Sequence, residues 1–399
     1  MTRLLLCAAL ALAAGSASAQ TCEDGMAGDY PCTDVDLLAH LSLDVFDAQS
    51  ANDIWGWTDP ETGREYALVG LDNGTAFVDL STPGAPVYLG KLPTATTATV
   101  WRDVKVYQDH AYIVSEAPGH GMQVFSLARL RDVQDAPATF EADARYTGAG
   151  NVHNIVIDET SGFGYLVGAN GGGYACNGGG LHMVDLRSVL EPVFAGCFDT
   201  DGYTHDAQCI VYNGPDAEYT GRQICFASNE DTMTIADVTD KDEPLLISRV
   251  TYANPSYTHQ GWLSEDRRYF IANDELDGGA SETTRSIIFD VSDLDNPDFV
   301  DFFFGPTPAI DHNLYIKGDL VFMSNYESGL RINRLAPDGS LEEISHFDTY
   351  PESDDTAFSG QWSNYPYFES GVVIASDINN GLFILQPEAT RRTTGDASR

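Results

Sequence analysis

One short phrase recurs through this chain: a histidine, then an amide or acid side chain, then an apolar strand. It reads Val152-His153-Asn154-Ile155, Thr204-His205-Asp206-Ala207, Thr258-His259-Gln260-Gly261 and Asp311-His312-Asn313-Leu314. Successive copies lie about fifty residues apart, and self-similarity at that period marks a repeat protein.

Between the copies the sequence reads as sheet. Second strands are expected at 66–70, 111–115, 164–168, 223–227, 269–272, 320–323 and 372–375. Third strands are expected at 76–80, 122–127, 181–186, 233–238, 286–291, 329–335 and 381–385. These segments alternate β-branched and aromatic residues between turn residues, and no amphipathic helix of useful length interrupts them. Several third strands run into an acidic, proline-bearing turn, as at Val78-Asp79-Leu80-Ser81-Thr82-Pro83. Four-stranded units at this spacing predict an all-β fold, a seven-bladed β-propeller with units starting near Asp53, Trp101, Val152, Thr204, Thr258, Asp311 and Gly360. The last unit runs out after three strands, near Leu385. The apolar stretch 37–46 is expected to supply the fourth, closing the ring and hiding its edges. Residues 37–389 are therefore read as the propeller, and 390–399 as a disordered polar tail.

Residues 1–19 read as a secretory signal: Arg3, an apolar run, then small residues ending Ala17-Ser18-Ala19. No other stretch is long and apolar enough to span a bilayer. Removing the signal removes Cys7 and leaves Cys22, Cys32, Cys176, Cys197, Cys209 and Cys225, an even set that suits disulfides in an exported protein. Pairing between sequence neighbours is the expectation, with Cys22–Cys32 in a lead-in at 20–36. The destination is secretion to the extracellular space or cell surface, or a periplasm. The net charge of −39, from 60 acidic and 21 basic residues, repels phosphate and argues against nucleic acid or an anionic membrane as partner.

The phrases Asn151-Val152-His153-Asn154, Gly180-Leu181-His182-Met183-Val184-Asp185, Asp201-Gly202-Tyr203-Thr204-His205-Asp206-Ala207-Gln208-Cys209 and Tyr257-Thr258-His259-Gln260-Gly261 resemble those of LVIVD-repeat proteins. More closely, together with Cys22, Cys32 and Val35-Asp36-Leu37-Leu38, they resemble the choice-of-anchor B family. The resemblance covers nearly the whole mature chain. It implies an exported propeller, in a family often tethered by C-terminal sorting signals, and implies no particular reaction. This chain departs from that pattern, because no apolar anchor follows Leu385. Function has to be read from the site.

Aligning the seven inner-strand starts places Trp55, Arg102, His153, His205, His259, His312 and Gln361 at one position, which should ring one mouth of the central channel. The ends of the second strands return to that mouth. They carry Asp72, Glu116, Asn170, Asn229, Asn273, Asn325 and Asp377, with Glu230, Asp231, Asp274, Glu275 and Glu327 close behind. Three readings of this constellation compete. The histidines are structural and hydrogen-bond the amides and acids of their own or adjacent units. Or His153, His205, His259 and His312 converge on a transition metal (zinc, copper or iron), as imidazole suits, with amides and carboxylates behind them. Under that reading the protein is a metal-dependent oxygenase or hydrolase, Arg102 steadies developing negative charge and Glu116 or Glu230 is the general base. Or, as the expected function with the metal enzyme as its alternative, the mouth is a binding or scaffold module for an extracellular small molecule, glycan or peptide. Its contacts are then Trp55, Arg102, Glu116, Asn170, Asn229, Glu230, Asn273, Asp274, Asn325, Gln361 and Asp377.

Other candidates carry less. His40, His110, His120, His182 and His346 fall off the aligned position and read as surface or packed side chains. The glycine-rich stretch 168–180 lacks the Lys-Ser/Thr ending and following helix of a phosphate loop. No G-x-S-x-G elbow marks a nucleophilic serine. The turns Asn229-Glu230-Asp231 and Asn273-Asp274-Glu275 offer the oxygen atoms that calcium prefers, without the 12-residue calcium loop.

Overall fold

The repeated phrase opens the innermost strand of four of seven β-sheets, and the seven together make the chain a seven-bladed β-propeller. The computed structural model describes residues 19–174, 176–277 and 283–391. Residues 1–18 of the expected secretory signal (1–19) and 392–399 of the expected tail (390–399) lie outside the described residues. Blades one to seven begin with the inner strands Ala51–Thr58, Arg102–Tyr107, Asn154–Asp158, Asp206–Val211, Thr258–Leu263, Leu314–Lys317 and Gln361–Tyr365. Each inner strand packs against the next, and the seventh returns to the first, so the seven ring one axis. The second and third strands fall where the alternation places them, to within a few residues.

A sheet with two apolar faces has to bury both, and here each face buries against the next blade. One apolar cluster fills every gap between neighbours. Between blades four and five, for example, Phe226 and Ile235 meet Phe270 and Ile287, all fully buried.

The inner edge of each innermost strand has no neighbouring strand, and its backbone groups need partners. The residue after the histidine position supplies several of them. Gln260 accepts from the Leu314 amide at 3.0 Å and donates to the Leu314 carbonyl at 3.1 Å, across to the next blade. Asp103 accepts from the Ile155 amide at 2.8 Å, also one blade on. Edge capping thus explains Gln260 in the motif, whereas Asp206 accepts from the Ala207 amide of its own strand and Asn313 donates to Ser363 Oγ.

Blade seven takes its outer strand from the other end of the chain: Val35–Leu41 pairs antiparallel with Gly381–Pro387. The stretch 37–46 departs from its expected form as one strand. After Leu41 the chain makes a single helical turn, Leu43–Phe46, ended by Asp47 at φ 49°. That turn tucks Phe46 into the core between blades seven and one, with its ring 5.2 Å from Tyr88. Ahead of it, Tyr30–Thr33 adds to the outer edge of blade six through Cys32 opposite Phe347. Blade two is irregular. Its outer strand is Ala144–Tyr146, and Ala138–Thr139 runs back to pair in parallel with blade one at Gly90. A Cβ on Gly90 would lie 2.1 Å from the Ala138 carbonyl oxygen, so only glycine permits this approach. Cys22–Cys32, Cys176–Cys197 and Cys209–Cys225 are bonded, the neighbour pairing that the spacing suggests.

Candidate functional site

All seven inner strands run in one sense around the axis. Residues at their starts therefore share one mouth of the channel, and residues at their ends share the other. At the first mouth His153, His205, His259 and His312 stand in a row, with successive ring centroids 4.3, 4.2 and 4.2 Å apart. They line a cavity of about 380 Å³ with Glu275, Tyr326, Trp101, Phe358 and Trp362.

The hydrogen bonds settle where the ring protons sit. His205 Nδ1 donates to the His259 carbonyl at 2.9 Å, and His312 Nδ1 donates to the Trp362 carbonyl at 2.5 Å. A carbonyl only accepts, so both rings carry their proton on Nδ1 and keep a lone pair on Nε2. His153 Nδ1 lies 2.6 Å from Glu116 Oε1, a carboxylate that fixes the same tautomer. His259 Nδ1 has no hydrogen-bond partner among the described residues. Glu275 faces these rings, with Oε2 at 3.8 Å from His259 Nε2 and Oε1 at 3.6 Å from His312 Nε2. The Tyr326 hydroxyl donates to Glu275 Oε1 at 2.8 Å and holds the carboxyl in place. One ligand atom each of His205, His259 and Glu275 lie within 4.8 Å of one another. Ligands about 2.1 Å from a shared ion stand roughly 3.4 Å apart in a tetrahedron, so small side-chain adjustments bring this set onto one ion.

Burial and the neighbouring imidazoles hold His205 and His259 well below the ordinary histidine range, and burial takes His312 down to about 4. These three rings are neutral at pH 7, the state in which imidazole ligates a metal. Burial raises Glu275 to about 7 despite the Tyr326 hydrogen bond.

The structure brings together the four histidines and Glu116, and places other expected contacts elsewhere. Trp55 lies at the opposite mouth, three residues beyond the histidine position: Ala51 pairs with Leu71 and Ile54 with Val69, the same pattern as Thr258 with Asp274 and Gly261 with Ala272 around His259. Asn52 takes the histidine position in blade one and donates to the Val100 carbonyl at 2.8 Å. The register of blade seven puts Trp362, not Gln361, in the pocket; Gln361 is buried and donates to Ser324 Oγ at 2.9 Å. Arg102 is buried away from the mouth, with Nε donating to the Leu71 carbonyl at 3.0 Å and Nη1 at 3.1 Å from His120 Nε2. The role written for Arg102 at the mouth is thereby lost, since its guanidinium faces blade one.

Asn273 bridges blades, its Oδ1 accepting from the Gln260 amide and its Nδ2 donating to the His312 carbonyl. Asn229 donates to Asp201 Oδ2 at 3.1 Å. Asn170 pairs with Asn151 through backbone alone, Glu230 is exposed in a turn bonded to Thr258, and Asn325 is buried. Asp274 is saturated by the Ser256 and Tyr257 amides and the Tyr252 hydroxyl, an arrangement that leaves it holding a loop. Glu275, Tyr326 and Trp362 are among the pocket residues that strand alignment alone did not rank, as are Trp101 and Phe358. Glu275 was visible only as an acid following an aligned asparagine.

Asp377 accepts from the Asn379 and Asn380 amides at 2.9 and 2.8 Å. Burial pushes its carboxyl from the ordinary 3.8 to about 6, and the Asp348 charge adds to the rise. A carboxyl raised in this way stabilises the fold below its unfolded value and loses that contribution as pH climbs through about 6. Two units correspond to about 3 kcal/mol. Asp377→Asn should therefore lessen the fall in melting temperature between about pH 4 and about pH 7. Thermal denaturation across that range checks it, and an unchanged slope contradicts it.

Comparison with known proteins shows the fold and stops there. No protein-family model and no curated protein matches the sequence. Among solved structures, the β-propeller domain of Cps50 (Swd1) from Myceliophteria thermophila is similar at 12% identity and a TM-score of 0.54, over 85% of this chain and 96% of that one. A protein from Lactobacillus plantarum is similar at 14% identity and a TM-score of 0.54, over 82% and 88%. The Pseudomonas aeruginosa periplasmic gluconolactonase PpgL is similar at 11% identity and a TM-score of 0.50, over 73% and 87%.

Proposed function

We propose that this chain is an exported propeller of the LVIVD, choice-of-anchor B type, and that it works as a metal-dependent enzyme through the histidine mouth. The observation that carries the reading is the direction of the imidazoles. Outer acceptors hold Nδ1–H of His153, His205 and His312, so each of these rings keeps its lone pair on Nε2, and Glu275 faces Nε2 of His259 and His312. Metal-binding histidines characteristically have their second nitrogen tied in this way. Neutral nitrogens with one carboxylate suit zinc, copper or iron. A bound ion would supply Lewis acidity toward a carbonyl or a water molecule.

The chain's own residues define the rest. Trp362, Trp101 and Phe358 wall the cavity beside the imidazoles, and Trp101 and Phe358 are 43% and 55% exposed at its rim. Such walls favour a small apolar or aromatic substrate and exclude water once it is seated. Tyr326 orients Glu275, and Glu116 orients His153. Three disulfides suit an oxidising compartment, consistent with export. A pure binding module would use the same walls without an ion.

Elemental analysis of the mature protein, as purified and after dialysis against zinc, copper(II) or iron(II), tests the reading. One equivalent of metal is expected, and Glu275→Gln should weaken its retention by about 10-fold or more. Absence of stoichiometric metal under all of these conditions leaves the binding module standing instead.

A further inference from the structure

The mouth opposite the histidines holds a second and larger cavity, of about 550 Å³, within the roughly 300–1,000 Å³ typical of small-molecule sites. One wall is aromatic. Tyr315 stands edge-to-face against Trp55 at 5.6 Å and against Trp262 at 5.1 Å, and Tyr365 packs on Trp55 at 5.1 Å. The other wall is polar and acidic, with Asp206, Asp158 and Glu159.

The polar atoms of the aromatic wall are unspent. Tyr315 is 2% exposed and lines the cavity, yet its hydroxyl has no hydrogen-bond partner among the described residues. The Tyr365 hydroxyl and the indole N–H groups of Trp55 and Trp262 likewise have none. Opposite them, Asp158 Oδ2 is buried without a partner. The buried Asp158 oxygen costs free energy until a ligand or water meets it, and the hydroxyl and indole N–H groups across from it remain open to a ligand's hydrogen bonds.

The floor narrows the class of ligand. Lys105 Nζ lies 3.1 Å from Asp53 Oδ2 and 2.6 Å from Asp103 Oδ1, and 4.7 Å from the centre of the Trp55 ring. The cation-binding face of Trp55 is already filled, and a second cation there would meet like charge. An apolar ligand would leave donors and carboxylates unmet. A sugar answers both walls. Its C–H face stacks on the aromatic rings, its oxygens accept from the free O–H and N–H groups, and its hydroxyls donate to the carboxylates.

We propose that the mouth opposite the histidines binds a neutral carbohydrate of one or two sugar units. The site is separate from the histidine mouth and stands whether or not that mouth holds a metal. The experiment titrates the full mature protein with glucose, galactose, N-acetylglucosamine, cellobiose and lactose, and with choline as the cationic comparator, by calorimetry and tryptophan emission. At least one saccharide should bind with a Kd of about 1 mM or tighter. Tyr315→Phe removes only the hydroxyl and should weaken that binding about 5–10-fold. Trp262→Ala should weaken it further, and neither substitution should change metal content. Failure of every saccharide to bind folded protein at about ten times that concentration overturns the proposal. So does preferential binding of choline, or saccharide binding unaltered by Tyr315→Phe.

Discussion

Replacing His205 and His259 together by alanine should reduce bound metal from one equivalent to background while the protein stays folded. Two of the three groups whose ligand atoms lie within 4.8 Å disappear, leaving Glu275 without a nearby pair of nitrogens. Loss of an outer-shell partner alone typically costs 10–100-fold in affinity, so loss of two direct ligands should cost about 1,000-fold or more. Folding should suffer less. The double substitution removes the His205 bond to the His259 carbonyl, worth about 1 kcal/mol, and opens space beside an existing cavity. Metal analysis paired with circular dichroism and a thermal melt separates the two effects. Glu116→Gln gives the graded case, since it still reaches His153 but no longer offers a charged acceptor, and about 10-fold weaker retention is expected. Full metal occupancy in the double variant would show that the ion sits elsewhere.

The ring, the blade count and the closing strand were legible because sheet periodicity and repeat spacing are local signals. The apolar stretch 37–46 reads as a strand, which the structure places at Val35–Leu41, and the seventh unit visibly lacks one. The four histidines were legible for the same reason, as one position of one repeat. What escaped was the exact start of the inner strand in blades that carry no histidine. In blades one and seven no histidine marks the start of the inner strand, so that Trp55 and Gln361 align in sequence while Asn52 and Trp362 align in space. A slip of one residue turns a side chain to the other face of the sheet, and no composition marks where it happens. Arg102 escaped differently. It occupies the aligned position, but its partners, the Leu71 carbonyl and His120, come from two other segments of chain. Contacts of that kind are properties of packing. Glu275 belongs with them, because its value comes from lying opposite His259 and His312 and under the Tyr326 hydroxyl.

Leu37→Asp should prevent the ring from closing. Leu37 is 1% exposed in the strand that completes blade seven, where it pairs with Leu385 and packs with Leu330, Phe347 and Phe383 between blades six and seven. A carboxylate there has no partner and either ionises in an apolar core or takes up a proton at a cost of several kcal/mol. Detaching the strand would also bare the edge of Gly381–Pro387 and draw away Tyr30–Thr33, which extends blade six. Total stability of a domain is about 5–15 kcal/mol, so a loss above about 4 kcal/mol together with an open strand edge favours aggregation over a folded ring. Leu37→Ala leaves a cavity without a charge and should cost about 2–4 kcal/mol, lowering the melting temperature with a cooperative transition retained. The contrast between the two variants is the measurement, read by size-exclusion profile and thermal melt. If the aspartate variant elutes as a monomer and melts within a few degrees of the parent, closure by the N-terminal strand does not hold the propeller together, and blades one to six must be stable as an open arc.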